Sequence, residues 1–347
     1  MLLNPKENPH GGDIYSRPVL LDFSSNINPE GMPERVKQAV IDAAQTCQVY
    51  PDPCCRDLRQ AIACAEQVPD EWILCGNGSA ELIYSFAYSL PKEKPALIVS
   101  PSFSEYGAAL HAAGIRTEHY LLKEAQDFRL TDDFLKTDFR QYGAVFLCSP
   151  NNPTGITVEP ELICAVAKSG VRLFLDLCFL DLTDDPARYD LPRLLREFPN
   201  VTVLRAFTKN YAMAGLRLGY VLSSGRAFLQ TMSEKVPCWN VSTVAQRAGI
   251  AAVGCGEWLR RSVAAIRSER ERMTEELQGC GVRVYPGEAD FLLLYSEKDL
   301  HERLLERGIL TRDCSNYVGL RKGYLRVAVR KREENDRLLS AIREVTR

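Results

Sequence analysis

Ala144-Val145-Phe146-Leu147-Cys148-Ser149-Pro150-Asn151-Asn152-Pro153-Thr154-Gly155 joins an unbroken apolar run to a proline-stiffened loop with two consecutive asparagines. A run that is apolar throughout, without polar alternation, reads as a strand covered on both faces, the habit of a mostly parallel sheet. Four more runs have this character: Ala96 to Val99, Val171 to Leu175, Val201 to Leu204 and Leu218 to Leu222. Helical patterns lie between them. From Ser79 to Leu90, for example, Leu82, Ile83, Phe86 and Leu90 fall on one stripe. The alternation predicts an α/β fold, with a large doubly wound, mostly parallel sheet domain over residues 46–235. Pro51 and Pro53 mark a turn near its start.

Residues 236–347 read differently. A charge-laced helix from Glu257 to Gly279 precedes strands at Phe291 to Tyr295 and Tyr324 to Val329, with a helix at His301 to Arg307 between them. Leu338, Ile342 and Val345 then stripe a final helix. These elements predict a smaller α+β domain, joined by an N-terminal arm over residues 1–45.

The chain has 347 residues, 46% hydrophobic and 25% charged, enough to bury a large core without disulfide staples. Forty-three basic against 45 acidic side chains leave a net charge of −2, which argues against nucleic-acid or membrane-surface partners. The apolar runs are too short to span a bilayer, and Met1 to Lys6 does not read as a signal peptide, so a cytoplasmic location is expected. Among twelve cysteines there is no C-x-x-C pair, and His10, His111, His119 and His301 are far apart. No metal site is expected, and reduced thiols should pack as small hydrophobes.

Four stretches carry chemistry. Gly76-Asn77-Gly78-Ser79-Ala80-Glu81 opens a helix after a glycine-rich turn. Free N–H groups there form an anion cradle, or simply a capped helix start. The Asn151-Asn152 loop follows a strand, where open α/β sheets bind ligands, and an asparagine amide there can donate to a ligand oxygen. Asp176 ends an apolar strand, an expensive place for a carboxylate unless it meets a cation or a strong donor. Phe207-Thr208-Lys209-Asn210 puts a lysine at a strand exit with Arg217 downstream. Desolvation and nearby positive charge would lower its pKa toward that of a nucleophilic amine.

Together these stretches resemble fold-type-I pyridoxal-phosphate enzymes of the aspartate-aminotransferase superfamily, along essentially the whole chain. The resemblance implies that Lys209 carries pyridoxal 5'-phosphate as a Schiff base and later moves protons. It further implies that Asp176 pairs with the pyridine nitrogen and Asn152 with the phenolic oxygen. Gly78, Ser79, Ala80, Thr208 and Arg217 would hold the phosphate, and Phe103 would stack on the ring. Tyr50 would reach the cofactor phosphate of the other subunit of a homodimer, and Arg326 would clamp the substrate carboxylate, a task suited to its fork. Two positions depart from the common pattern: Phe179 stands where relatives often carry a tyrosine, and Ala206 where they carry a small hydroxyl residue.

Within the superfamily the chain is most similar to the branch of histidinol-phosphate aminotransferases and threonine-phosphate decarboxylases. His10-Gly11-Gly12-Asp13-Ile14, Leu21 to Pro29, Arg312 to Tyr317 and Arg326 to Asn335 resemble the decarboxylases. Phe179 fits that branch as well. The resemblance implies decarboxylation of L-threonine O-3-phosphate to (R)-1-amino-2-propanol O-2-phosphate for cobalamin biosynthesis; the alternative is an aminotransferase acting on histidinol phosphate or a related amino acid. A phosphorylated substrate needs a second anion site. His10 and Gly11, Asn28 and Arg312 are the expected substrate-binding residues besides Arg326, with Arg321 and Arg330 as further cations.

Overall fold

The computed structural model describes residues 10–16 and 18–346. In chain order the strands begin with β1 Leu21–Asp22, β2 Ile73–Gly76, β3 Ala96–Ser100, β4 Thr117–Leu121, β5 Ala144–Cys148 and β6 Arg172–Asp176. There follow β7 Val201–Ala206, β8 Gly219–Leu222, β9 Arg283–Val284, β10 Phe291–Tyr295, β11 Ile309–Leu310, β12 Arg312–Asp313 and β13 Tyr324–Ala328.

Seven of these form one sheet in the order β2-β8-β7-β6-β5-β3-β4. Strands β4, β3, β5, β6 and β7 run parallel, whereas β8 is antiparallel to both β7 and β2. The five residues of β3 and of β5 and the six of β7 are all buried, which is why their sequences show no alternation. Helix Ser79–Tyr88 seals one face by burying Leu82, Ile83 and Phe86. Phe86 meets the rings of Phe146, Phe174 and Phe228 at centroid distances of 5.5, 4.6 and 5.3 Å.

The smaller unit holds a four-stranded antiparallel sheet in the order β12-β13-β10-β9. The N-terminal segment joins it. Strand β1 pairs in parallel with β11, Leu21 opposite Ile309, and the Phe23 carbonyl accepts from Ala328 N–H at 2.8 Å. Helices Gly256–Gly279 and Arg332–Thr346 pack together beside this sheet. Helix Thr243–Val253 lies against helices Glu34–Ala44 and Arg56–Glu66. Its Gly249 permits that approach, because a Cβ there would stand 2.5 Å from Leu218 Cδ2 and 2.8 Å from Leu58 Cδ1. Among the described residues no helix is long and apolar enough to cross a membrane.

Strand direction decides where chemistry gathers. The carboxyl ends of β3, β5, β6 and β7 open on the same edge of the sheet, and from the other side β13 and the N-terminal segment face that edge.

Candidate active site

A cavity of about 470 Å³ lies at that edge. Lys209 enters it from the short helix Phe207–Asn210 that follows β7, and its backbone carbonyl accepts from Asn28 N–H at 3.1 Å. Loss of water pulls the Lys209 ammonium below its ordinary range; Arg326 and Arg217 act in the same sense and Asp290 opposes them. Asp176, at the end of β6, is buried with both oxygens engaged. Tyr106 Oη–H donates to Oδ2 at 2.6 Å, and Cys178 N–H donates to Oδ1 at 2.9 Å. Burial pushes the Asp176 carboxyl up, while these hydrogen bonds and Lys209 favour its ionised form.

One wall is an anion cradle. Ser79 and Ala80 begin helix Ser79–Tyr88, and Thr208 and Arg217 line the same cavity. Gly78 has φ 82°, and a Cβ there would lie 2.5 Å from Arg217 Nη2, so only glycine lets the guanidinium settle against the turn. A side chain at Gly219 would stand 2.9 Å from Ser79 N.

The opposite wall comes from the smaller unit. Arg326 Nη1 donates to Asn152 Oδ1, and Nη2 donates to the Ser24 carbonyl at 2.8 Å. Tyr317 Oη–H also donates to Asn152 Oδ1, at 3.2 Å. With its oxygen engaged by two donors, Asn152 keeps Nδ2 as the group that can donate to a ligand oxygen. Arg312 lines the same side, Nη2 donating to Asn316 Oδ1 at 2.9 Å, with its guanidinium 4.9 Å from the Tyr317 ring centre. At the mouth, His10 Nε2 lies 2.8 Å from Glu105 Oε1, its ring centroid is 5.6 Å from that of Phe103, and Gly11 is beside it.

The structure thus brings His10, Gly11, Ser79, Ala80, Phe103, Asn152, Asp176, Thr208, Lys209, Arg217, Arg312 and Arg326 around one cavity. Gly78 sits just behind, under Arg217. Asn28 is not among the lining residues. It is buried behind the Lys209 helix, its Nδ2 donating to the Asn210 carbonyl at 2.9 Å and to Ser262 Oγ at 2.7 Å, and Asn26 lines the cavity in its place. Tyr50 is exposed and stacks on Trp239 at 4.6 Å, away from this cavity. Arg321 and Arg330 are not there either, since Arg321 pairs with Glu124 at 3.0 Å and Arg330 with Glu334 at 3.0 Å. Phe179 and Ala206 line the cavity, Phe179 edge-on to Phe291 at 5.1 Å. Among the described residues no cluster of His, Cys, Asp or Glu could hold a metal ion.

Sequence reading passed over Tyr106, Tyr317, Glu105 and Ser24. Tyr106 and Tyr317 are buried and look like ordinary core aromatics; only their hydroxyl partners reveal the role.

The residues fit pyridoxal phosphate. They offer an amine held in a dehydrated site, a fixed carboxylate, an asparagine amide donor, and a glycine-floored cradle with one guanidinium. The sequence matches the family Aminotransferase class I and II over residues 18–342. It is 42% identical to the threonine-phosphate decarboxylase of Salmonella typhimurium strain LT2, over 97% of this chain and 96% of that protein. The histidinol-phosphate aminotransferase of Clostridium acetobutylicum superposes with a TM-score of 0.88 at 28% identity, covering 94% of this chain and 99% of that one. The histidinol-phosphate aminotransferase of Sinorhizobium meliloti, solved in complex with pyridoxal-5'-phosphate, has the same fold, with a TM-score of 0.86 at 23% identity over 100% of this chain and 95% of that one. Members of this family bind pyridoxal phosphate, and with a match over nearly its whole length the chain belongs to the class I and II aminotransferases.

Proposed function

We propose that the chain is a pyridoxal-phosphate-dependent lyase that decarboxylates L-threonine O-3-phosphate, yielding (R)-1-amino-2-propanol O-2-phosphate for cobalamin biosynthesis. The observation that carries this reading is a second group of donors in the cavity. Arg312 stands opposite Arg326 in the β12–β13 pairing, and His10 lines the same cavity, in addition to the Ser79, Thr208 and Arg217 cradle that the cofactor's phosphate would fill. A substrate with a carboxylate and its own phosphate needs both Arg326 and these further donors. The 42% identity to a threonine-phosphate decarboxylase supports the same substrate.

Pyridoxal phosphate, when bound, supplies an electron sink. The chain's residues do the rest. Asp176 presents a negative charge where the ring nitrogen would lie, and Asn152 Nδ2 donates to the ring oxygen. Arg326 offers a fork for the α-carboxylate. Lys209 Nζ, its proton affinity lowered by burial, would take up the proton the substrate's ammonium group gives up and deliver it to the α-carbon in place of the departed CO₂. Tyr50, exposed beside Trp239, is placed in this reading at the contact with a second copy.

The decisive experiment incubates the cofactor-loaded protein with threonine phosphate and, separately, with L-glutamate. Release of CO₂ from the first, with the visible spectrum unchanged by the second, is expected. Conversion to the pyridoxamine spectrum by glutamate, without CO₂ release from threonine phosphate, would make the chain an aminotransferase instead.

His10→Ala removes one partner of the substrate phosphate. KM for threonine phosphate is expected to rise about 10- to 100-fold, the worth of one charge-assisted hydrogen bond, with kcat changed far less. Initial rates over a range of substrate concentrations measure the split.

A further inference from the structure

Lys209 rides on the helix Phe207–Asn210, a single turn that cannot stand by itself. Its partner in the site, Asp176, ends β6. The ladder between β6 and β7 reaches Asp176 opposite Leu204, and Leu177 N–H donates to the Leu204 carbonyl at 2.9 Å. Past that rung the two segments part. One enters the short turn Leu180–Leu182 and the other the Lys209 helix.

Asp181 bridges the gap. Its Oδ1 accepts from Arg205 Nη2 at 2.7 Å, and its Oδ2 accepts from Asn210 Nδ2 at 2.6 Å. Arg205, the fifth residue of β7, is buried, and its Nε donates to Glu66 Oε1 at 3.2 Å, where Tyr220 Oη–H also donates. A buried guanidinium forked between two carboxylates is held in one arrangement, since loss of either partner leaves charge uncompensated. That fixes Oδ1 of Asp181 and aims Oδ2 at the Lys209 helix.

Asn210 meets it with one atom only. Its side chain is buried, and its Oδ1 has no hydrogen-bond partner among the described residues. A carboxylate accepts and cannot donate, so the amide turns Nδ2 toward Asp181 and leaves Oδ1 unpaired. An unpaired buried acceptor is costly, and what it is exchanged for is a charge-assisted bond across the gap.

We propose that Asn210 is a positioning residue acting through Lys209: its bond to Asp181 ties the lysine helix to the segment that carries Asp176, and so sets where the amine stands against the acid. The inference rests on the reading of Lys209 as the cofactor-bearing amine.

The test compares cofactor-loaded wild type, Asn210→Leu and Asp181→Asn. Leucine has nearly the same bulk, removes the donor and removes the unpaired Oδ1, and the partly exposed Asp181 can turn its second oxygen to water. Its melting temperature should stay close to that of the wild type, while kcat for threonine phosphate falls about 10- to 100-fold, the effect of a small misplacement. KM should stay within about threefold, and the cofactor's visible circular dichroism should lose intensity while its absorbance band remains. Asp181→Asn does the reverse. Arg205 loses one of its two carboxylates, so melting comes earlier. The new amide can still donate to Asn210 once that side chain turns its unpaired Oδ1 around, so kcat stays within about threefold of wild type.

A cluster that only braced the fold would make kcat follow melting temperature, with Asp181→Asn the worse of the two. That order overturns the proposal, as does an Asn210→Leu protein with wild-type kcat and circular dichroism. If Asn210→Leu is insoluble, Asn210→Ala removes the donor without adding an apolar branch; if both are insoluble, the side chain serves the fold and the proposal fails. A wild type that binds pyridoxal phosphate but leaves threonine phosphate untouched refutes the proposed substrate, and the circular dichroism alone then decides for or against Asn210. A wild type that gains no visible band refutes the reading of Lys209 and this proposal with it.

Discussion

Protein carrying Lys209→Ala is expected to stay colourless when pyridoxal phosphate is added, and to turn over at least about 10⁴-fold more slowly than wild type. In free-energy terms that is about 5–6 kcal/mol of transition-state stabilisation. Nζ is the amine at the meeting point of Asp176, Asn152 and Arg326, and burial lowers its proton affinity toward that of a working base. The fold should survive, since Asn28 holds the Lys209 helix through the backbone carbonyl rather than the side chain. Absorbance spectra after reconstitution, with circular dichroism as the folding check, measure both halves. A Lys209→Ala protein that keeps the wild-type visible band would assign the covalent role to another lysine.

Asp176→Asn is expected to lower kcat by about 10³-fold with a smaller change in KM. The loss has two sources. A neutral amide no longer favours a protonated pyridine nitrogen, so the electron sink weakens just where charge develops. The amide also changes the hydrogen bonding. Both oxygens of Asp176 accept, one from Tyr106 Oη–H and one from Cys178 N–H, so an amide that keeps its oxygen on Cys178 N–H needs the Tyr106 hydroxyl to turn and accept from Nδ2. Tyr106→Phe combined with Asp176→Asn separates the two sources. If the altered hydrogen bonding dominates, the double variant recovers activity; if the lost charge dominates, it does not. The second outcome is expected.

Much of this site was legible because its residues sit where apolar runs stop. Asp176 ends β6, Asn152 follows β5 and Lys209 follows β7, and an acid, an amide and an amine at three neighbouring strand ends converge once the strands run parallel. Other features left weaker traces. Strand β4 is at the sheet edge and half-exposed, so Glu118, His119 and Tyr120 give it no apolar run. Strands β9 and β12 are two residues long, too short for any period, so the smaller sheet has four strands where two were expected. The reversed direction of β8 has no local signature, because its residues are buried like those of the parallel strands β3, β5 and β7. Asn26 and Asn28 differ by two positions on one irregular segment, and only the fold decides which faces the cavity. Asp290 was passed over because one acid before an apolar run reads as a strand boundary, and its burial becomes visible only in three dimensions.

The pairing of β1 with β11, and of Phe23 with Ala328, has a consequence for synthesis on the ribosome. The seven-stranded sheet is built from one continuous stretch of chain and is able to assemble while the rest is still being translated. Leu21 and Phe23 must wait unpaired until Ile309 and Ala328 have been made, a contact of very long sequence separation and slow closure. Arg326 arrives at the same late moment. A product ending near residue 317 would therefore carry Lys209 and Asp176, lack Arg326 and the rest of β13, and leave Phe23 and the β10 edge without their partners, open to aggregation.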